Sequence, residues 1–191
     1  SFMAQRLMIE QGDEYAAVVL SGTNGPVGLM RDGGVLVARM EVMRCGANNP
    51  SRVLTLMSFG AYNKPYHPAR TDFDWLSRDE AEVDRYVADP LCGFEVSTSL
   101  WRDFLEGLGK LHRPQDISRI PKALPVFLMS GTRDPVGGYS KGVQKLLDLY
   151  AGAGLTKVAH KLYDEARHEI FNEINRDEVT SDLIKWLSGL Q

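Results

Sequence analysis

The chain has 191 residues, of which 43% are apolar and 25% are charged, and this length supports one globular domain with its own core. Its net charge of −3 comes from 22 basic and 25 acidic residues that are mixed along the chain, which argues against nucleic-acid binding. No apolar run approaches the roughly 18 residues that a membrane-spanning helix needs.

The first elements are predicted to be a helix followed by a buried strand. Residues 2–11 carry a mostly apolar helical pattern that ends at Gly12, a residue that commonly stops helices. The continuous apolar run Tyr15–Leu20 predicts a short strand that is covered on both faces. The sequence Ser21-Gly-Thr-Asn-Gly-Pro26 then ends this strand.

Residues 27–118 differ in character, because helical stretches alternate there with polar loops that contain proline and glycine. The segment 63–70 has prolines at positions 65 and 68, which argues against a long regular element. We interpret the whole of 27–118 as an all-helical cap that is inserted into the fold. Its helices are predicted at Gly34–Cys45, Ser51–Ser58, Asp79–Val87 and Ser99–Leu111.

After Pro121 the pattern alternates strictly between strand and helix. Strands separated by helices predict a parallel α/β sheet, so residues 1–26 and 119–191 are interpreted as one core on either side of the cap. Strands are predicted at Val126–Ser130 and Lys157–Tyr163, and helices at Ser140–Gly152 and Asp177–Leu190. The apolar side of the last helix is expected to comprise Val179, Leu183, Ile184, Trp186 and Leu187.

Two loops of this last part carry the residues with the clearest chemistry. Asp134 follows the first of the two strands, and His168 follows the second. An acid in such a position can hold an imidazole in one tautomer, and the imidazole can then act as a general base. The alternatives are a turn aspartate before a proline and a surface histidine. The remaining histidines are less suitable, because they lie in the cap or in mid-strand: His67, His112 and His160.

No residue of the chain is a convincing nucleophile. Gly138-Tyr-Ser140-Lys-Gly142 matches the pattern Gly-x-Ser-x-Gly, but no strand runs directly into it and Ser140 follows Asp134 in the chain. We interpret Ser140 as the N-cap of a helix. Ser58 lies in a weaker near match within the cap, and Ser1 has no strand or turn before it.

The cysteines and histidines lack the spacing of a metal site, and there is no glycine-rich phosphate loop at a strand-to-helix turn. We therefore expect no metal and no other cofactor. Cys45 and Cys92 are too few for a disulfide framework. We interpret them as reduced, buried thiols of a cytoplasmic protein, with a single bridge as the alternative.

Three parts of the sequence resemble the C-terminal part of α/β-hydrolases of the lysophospholipase and monoacylglycerol lipase group, which are also grouped with serine aminopeptidases. In that family the motif Gly-His-Ser-Met-Gly precedes the helix that matches residues 2–11. The resemblance therefore implies a nucleophilic serine just before Ser1, the first half of the fold on a separate stretch of chain, and Asp134 and His168 as acid and base. The similar segments are 1–6 with 18–23, 71–84 with 89–93, and 130–136 with 166–169 and 172–177.

The resemblance implies a serine hydrolase that cleaves carboxylic esters of lipids through an acyl-enzyme. An aminopeptidase, amidase or thioesterase on the same fold is one alternative, and a non-catalytic fragment or binding domain is another. A peptidase would need an acidic site for a free amino terminus, and the acidic residues for it would be Asp72, Asp74, Asp79, Glu80 and Glu82. The side chains that either line an acyl pocket or form the core of the cap are Met57, Phe59, Trp75, Trp101 and Phe104.

Overall fold

The computed structural model describes residues 1–190. Within them, parallel strands form a sheet in the order β1 (Val18–Ser21), β2 (Val126–Gly131) and β3 (Val158–Tyr163). Val126 at the start of β2 pairs with Val18 on one side and with Val158 on the other. The central strand β2 is buried at every residue, as expected for a parallel strand covered on both faces. The predicted α/β class is therefore confirmed.

The helices that were predicted from the sequence are all present, and α1 has the predicted ends, whereas the ends of the others differ by one or more residues. Helix α2 begins at Leu29 rather than at Gly34, and the short helix α6 was not predicted. We refer to residues 27–118, which include α2 to α6, as the helical segment. The helices are α1 (Phe2–Gln11), α2 (Leu29–Cys45), α3 (Arg52–Ser58), α4 (Glu80–Ala88), α5 (Thr98–Leu111), α6 (Pro114–Ile117), α7 (Lys141–Gly152) and α8 (Arg176–Ser188).

The two faces of the sheet are covered by different helices, because successive side chains of a strand point to opposite sides. Val126 and Leu128 of β2 pack in a core with side chains of α1, α7 and the end of α5. Phe127 and Met129 pack in a second core with α8 and with the loop that follows β3. The single apolar run of β2 thus supplies both cores.

The first strand is shorter than predicted. β1 begins at Val18, and Tyr15 remains 36% exposed in the turn that follows the short 3-10 helix Gly12–Glu14. Helix α1 does end before Gly12, but this glycine keeps a helical φ of −57° instead of a left-handed one. A side chain is excluded there for another reason, since a Cβ atom would lie 2.4 Å from Cδ of Pro121.

Two predictions of burial are wrong. In α8, Ile184 is 58% exposed and Leu187 is 44% exposed, because the helix turns only one stripe towards the sheet. Cys45 and Cys92 are unpaired and only partly buried, since one ends α2 and the other lies in the loop after α4. No helix within residues 1–190 combines the length and the apolar character that crossing a bilayer requires.

A buried polar network ties the helical segment to the core. Nε2 of Gln5 donates to Oγ1 of Thr23 at 2.7 Å and to the carbonyl of Asn24 at 3.1 Å. Nε2 of His112, just after α5, pairs with Oε1 of Gln5 at 2.8 Å. Burial lowers the pKa of His112 to about 4. The imidazole is therefore neutral at pH 7, and its Nε2–H donates the hydrogen bond to the amide oxygen of Gln5.

We expect His112 to make the protein less stable as the pH falls from 7 towards 4. The unfolded chain takes up this proton near the ordinary pKa of 6.5, whereas the folded ring stays neutral down to a pKa of about 4. After discounting for its partial exposure, this loss amounts to about 2 kcal/mol. Urea unfolding of the wild type and of His112→Gln near pH 7 and near pH 4.5 should show the smaller loss in the variant. Equal losses in both proteins would disprove the role of His112, and exposed His160→Gln is the control.

Candidate active site

The carboxylate of Asp134 lies beyond the C-terminal end of β2, which stops at Gly131. Its side chain is fully buried. Oδ1 accepts a hydrogen bond from the backbone N–H of Val136 at 2.8 Å, and Oδ2 faces Nδ1 of His168 at 3.0 Å. Both oxygens are therefore held in place, as a buried carboxylate requires.

The base loop, residues 164–175 after β3, brings His168 to Asp134. The backbone N–H of Arg133 donates to the carbonyl of Ala166 at 2.9 Å, which draws this loop over the end of β2. The His168 side chain is 26% exposed. Because Nδ1 faces a carboxylate, the hydrogen of the neutral ring resides there and Nε2 presents its lone pair. The structure thus brings together the two residues singled out in the sequence, in a geometry that favours the Nδ1–H tautomer.

Two glycines at strand ends allow this close approach. Gly22 follows β1 with a φ of +55°, and a Cβ atom there would lie 3.0 Å from Cε1 and Nδ1 of His168. At Gly131, the last residue of β2, a Cβ atom would lie 2.0 Å from the carbonyl oxygen of Ala166. Sequence reasoning missed both residues, although a glycine directly after an apolar strand is a recognisable signal of close backbone approach.

The helical segment also reaches the site. The indole of Trp75 is 6% exposed and its ring centre lies 5.4 Å from that of His168. The hydroxyl of Tyr66 donates to the carbonyl of Arg133. The guanidinium of Arg167 lies 4.2 Å from the centre of the Tyr66 ring, in a cation–π contact. These partners are far apart in the chain, so no local pattern indicates that they meet.

Two tyrosines near the site remain uncharged at neutral pH. Burial, together with the negative charge of Asp134, raises the pKa of Tyr62. Burial is also the largest of the effects that raise the pKa of Tyr66 to about 12. Both phenols therefore stay protonated, and neither adds a second negative charge beside the buried carboxylate of Asp134.

None of the serines considered as nucleophiles, Ser1, Ser58 and Ser140, is hydrogen-bonded to His168. Ser140 directly precedes α7, but its side chain does not cap the helix. The N-cap prediction fails in this respect because the backbone of Ser140 is left-handed, with a φ of 70°, where caps are normally extended. Ser58 is the last residue of α3. Among residues 1–190, no serine or cysteine side chain is hydrogen-bonded to His168.

The remaining histidines lie elsewhere. His67 and His160 are exposed, and His112 belongs to the network with Gln5. Residues 1–190 contain no group of three or more His, Cys, Asp or Glu side chains that could hold a metal ion.

The acidic side chains considered for an amine site are mostly paired within the chain. Arg176 of α8 binds Asp79 and Glu82 at 3.0 Å each. The backbone N–H of Arg70 donates to the carboxylate of Asp74 at 2.6 Å. The guanidinium of Arg70 lies 3.7 Å from the carboxylate of Glu80. This arrangement offers little free negative charge for a substrate amine.

A row of aromatic rings extends from His168 through the helical segment. After Trp75, the ring centres follow at 6.1 Å to Phe59, 5.4 Å to Trp101 and 6.4 Å to Phe104. Met57, which was grouped with them in the sequence, is 56% exposed.

The far end of this row borders an apolar cavity of about 280 Å³ between α1 and α5. Phe104 and Phe2, whose rings are 5.7 Å apart, both line the cavity. Asp134 and His168 do not line it. The row is therefore a run of ring contacts that includes the buried side chains of Trp75 and Trp101 and meets the cavity only at Phe104.

Comparison with known proteins identifies relatives of this chain. Residues 1–175 match the family model described as serine aminopeptidase, S33. Human monoglyceride lipase is 31% identical over 115 residues, which cover 54% of this chain and 36% of the human protein. Rat monoglyceride lipase is 32% identical over 117 residues, which cover 56% of this chain and 36% of that protein. The match thus spans about a third of the length of these relatives.

Solved structures agree in fold. A thermostable carboxyl esterase from Bacillus coagulans superposes with a TM-score of 0.88 and 22% identity, covering 99% of this chain and 61% of the esterase. A monoacylglycerol lipase from Paleococcus ferrophilus superposes with a TM-score of 0.70 and 21% identity, covering 100% of this chain and 65% of the lipase. At these identities, the likeness establishes the fold.

We expect Gly131→Ala to destabilise the protein by about 2–3 kcal/mol, because the new methyl group meets the rigid backbone of Ala166. Gly107→Ala in α5 is the matched control, since a Cβ atom there meets no other atom within 4 Å. The control should be neutral or more stable by about 0.5–1 kcal/mol. Urea unfolding measures both, and an unchanged stability of Gly131→Ala would contradict the close approach.

Proposed function

Because the chain belongs to the serine aminopeptidase S33 family and has the α/β-hydrolase fold, we propose that it carries the acid and base of a serine hydrolase acting on lipid esters. The observation that carries this proposal is the 3.0 Å contact between buried Asp134 and His168 at the ends of neighbouring parallel strands. Acid and base occur here in the chain order of the α/β-hydrolase triad.

In this mechanism His168 is the general base and Asp134 orients it. Nε2 of His168 takes the proton of a serine hydroxyl as that oxygen attacks the ester carbonyl. Asp134 stabilises the resulting imidazolium through Nδ1. The imidazolium then returns the proton to the leaving alcohol, and an acyl-enzyme remains. Water, activated by the same imidazole, releases the fatty acid and regenerates the serine.

The proposed nucleophile is a serine just before Ser1, at the N-terminal end of α1. The position of this helix supports the assignment. In the first turns of α1, Nε2 of Gln5 donates to Oγ1 of Thr23 at 2.7 Å. Gly22, which precedes Thr23, lies against the His168 ring. The first turns of α1 are therefore linked to the base through Thr23 and Gly22. Helix N-terminal amides also favour the negative charge that develops during attack.

The proposed substrate is an ester with a single acyl chain, such as a monoacylglycerol or a lysophospholipid. In the aromatic row, buried Trp75 packs against the base, and the partly exposed rings of Phe59 and Phe104 offer apolar surface for an acyl chain. The similarity to human monoglyceride lipase supports the same choice. We further propose that residues 27–118 act as the cap of this substrate site, between core residues 1–26 and 119–191.

An aminopeptidase or other amidase is the second candidate, favoured by the description of the matching family. The ion pairs of Asp79 and Glu82 weigh against it, because Arg176 already binds both carboxylates and Arg85 binds Glu82 as well. The unpaired thiols of Cys45 and Cys92 support a reducing compartment, and we propose the cytoplasm.

We expect His168→Ala, made in the intact protein that contains this chain, to lower kcat/KM for ester hydrolysis by about 10⁴-fold or more. Asp134→Asn should lower it by a similar factor, because the imidazole loses its preferred tautomer. Exposed His160→Ala is the matched control and should keep wild-type activity. Turnover of esters and labelling by a fluorophosphonate measure the effect. If His168→Ala retained both, the assignment of the base would be wrong.

We also expect the intact protein to hydrolyse p-nitrophenyl acyl esters and monoacylglycerols far faster than proline-naphthylamide. The partly exposed rings of Phe59 and Phe104, in the aromatic row that starts at His168, favour an acyl chain, whereas Asp79 and Glu82 already pair with Arg176. Parallel assays at equal enzyme concentration make the comparison. A preference for the amide would favour the peptidase, and no turnover of either substrate together with no labelling would favour a non-catalytic domain.

A further inference from the structure

Glu173 is a buried carboxylate that the proposed mechanism does not use. It lies between the short helix Ile170–Asn172 and α8, and its side chain is completely buried. Its two oxygens accept four hydrogen bonds, which satisfies a carboxylate removed from water. The donors are the backbone N–H groups of Arg167 at 2.8 Å, Arg78 at 3.1 Å and Ile174 at 3.2 Å, and Nε of Arg78 at 2.8 Å.

These bonds hold the backbone on one side of His168, because Arg167 is the preceding residue. On the other side, the backbone N–H of Glu169 donates to the carbonyl of Leu76 at 2.8 Å. The backbone beside His168 is thus held at the N–H of Arg167 by Glu173 and at the His168–Glu169 peptide by the helical segment. β3 ended several residues earlier, at Tyr163.

The residues of the helical segment that bind the base loop form one continuous stretch, residues 74–78, which we call the clamp. The Arg167 guanidinium donates to the carbonyls of Asp74 and Ser77. Oγ of Ser77 in turn donates to the carbonyl of Asn172 at 2.8 Å. The pair Glu173–Arg78 is the ionic contact between the clamp and the base loop.

We propose that Glu173 is a positioning residue for His168, and that with Arg78 it fixes the base loop so that the imidazole meets Asp134. This inference rests on the proposed function, since it takes His168 as the base. Glu173 acts through the backbone of Arg167. A displacement of about 1 Å in such a group costs about 10²-fold in rate, so the loop must be held firmly.

Glu173→Gln in the intact protein tests the proposal, because it removes the charge and preserves the size. We expect kcat for a p-nitrophenyl ester to fall about 10- to 100-fold, with KM changed less than about threefold. The downfield proton NMR signal of the His168 Nδ1 hydrogen should move or broaden, because its bond to Asp134 becomes less well defined. Glu82→Gln is the matched control. It breaks another ion pair between the helical segment and α8, and it should change neither readout.

The outcomes separate this inference from the proposed function. If the wild type hydrolyses no ester, the function is wrong, and the NMR signal alone decides the positioning role. If Glu173→Gln does not fold, Arg78→Lys replaces it, because lysine keeps the positive charge and loses the hydrogen bond from Nε to Glu173. The kcat of Arg78→Lys should fall by less than the 10- to 100-fold expected for Glu173→Gln, again at nearly constant KM. A folded Glu173→Gln or Arg78→Lys with unchanged kcat and an unchanged signal, or with a change in KM alone, would overturn the inference.

Discussion

The hydrogen bond between His168 and Asp134 forms between loops that leave two neighbouring parallel strands, so it depends on the register of β2 and β3. Gly131 of β2 pairs with Tyr163 of β3 at the end of this ladder, and the two loops that follow then turn towards each other. The approach is possible because position 131 has no side chain. A slip of one residue would turn every side chain of the strand to the opposite face and exchange the two cores. The cores that flank β2 therefore protect the geometry of the pair as well as the stability of the fold.

Most of the fold and the Asp134–His168 pair could be predicted, because both leave local signals. β2 is a continuous apolar run, α7 and α8 have helical spacing, and the two ionisable residues follow strands. Strand ends and helix ends were less accurate, as at Tyr15, since apolar character alone does not say where hydrogen-bonded pairing begins.

The contacts of the base loop could not be predicted. Glu173 belongs to a polar stretch that looks like ordinary solvated surface, and its partner Arg78 lies 95 residues away in the chain. The same holds for Trp75, whose contact with His168 crosses a similar separation. Burial of a charged residue follows from tertiary structure, and no periodicity within a single element reveals it.

The clamp has a consequence for the order in which the molecule assembles. Arg78 and Glu173 lie 95 residues apart, so their contact contributes stability only after a long loop has been closed. The pairing of β1 with β2, from Val18 to Val126, closes a loop of similar length, whereas the hydrogen bonds within each helix are local. In a refolding chain the helices can therefore form first. The β1–β2 pairing and the contacts that hold the backbone beside His168 both wait until the helical segment has brought distant parts of the chain together.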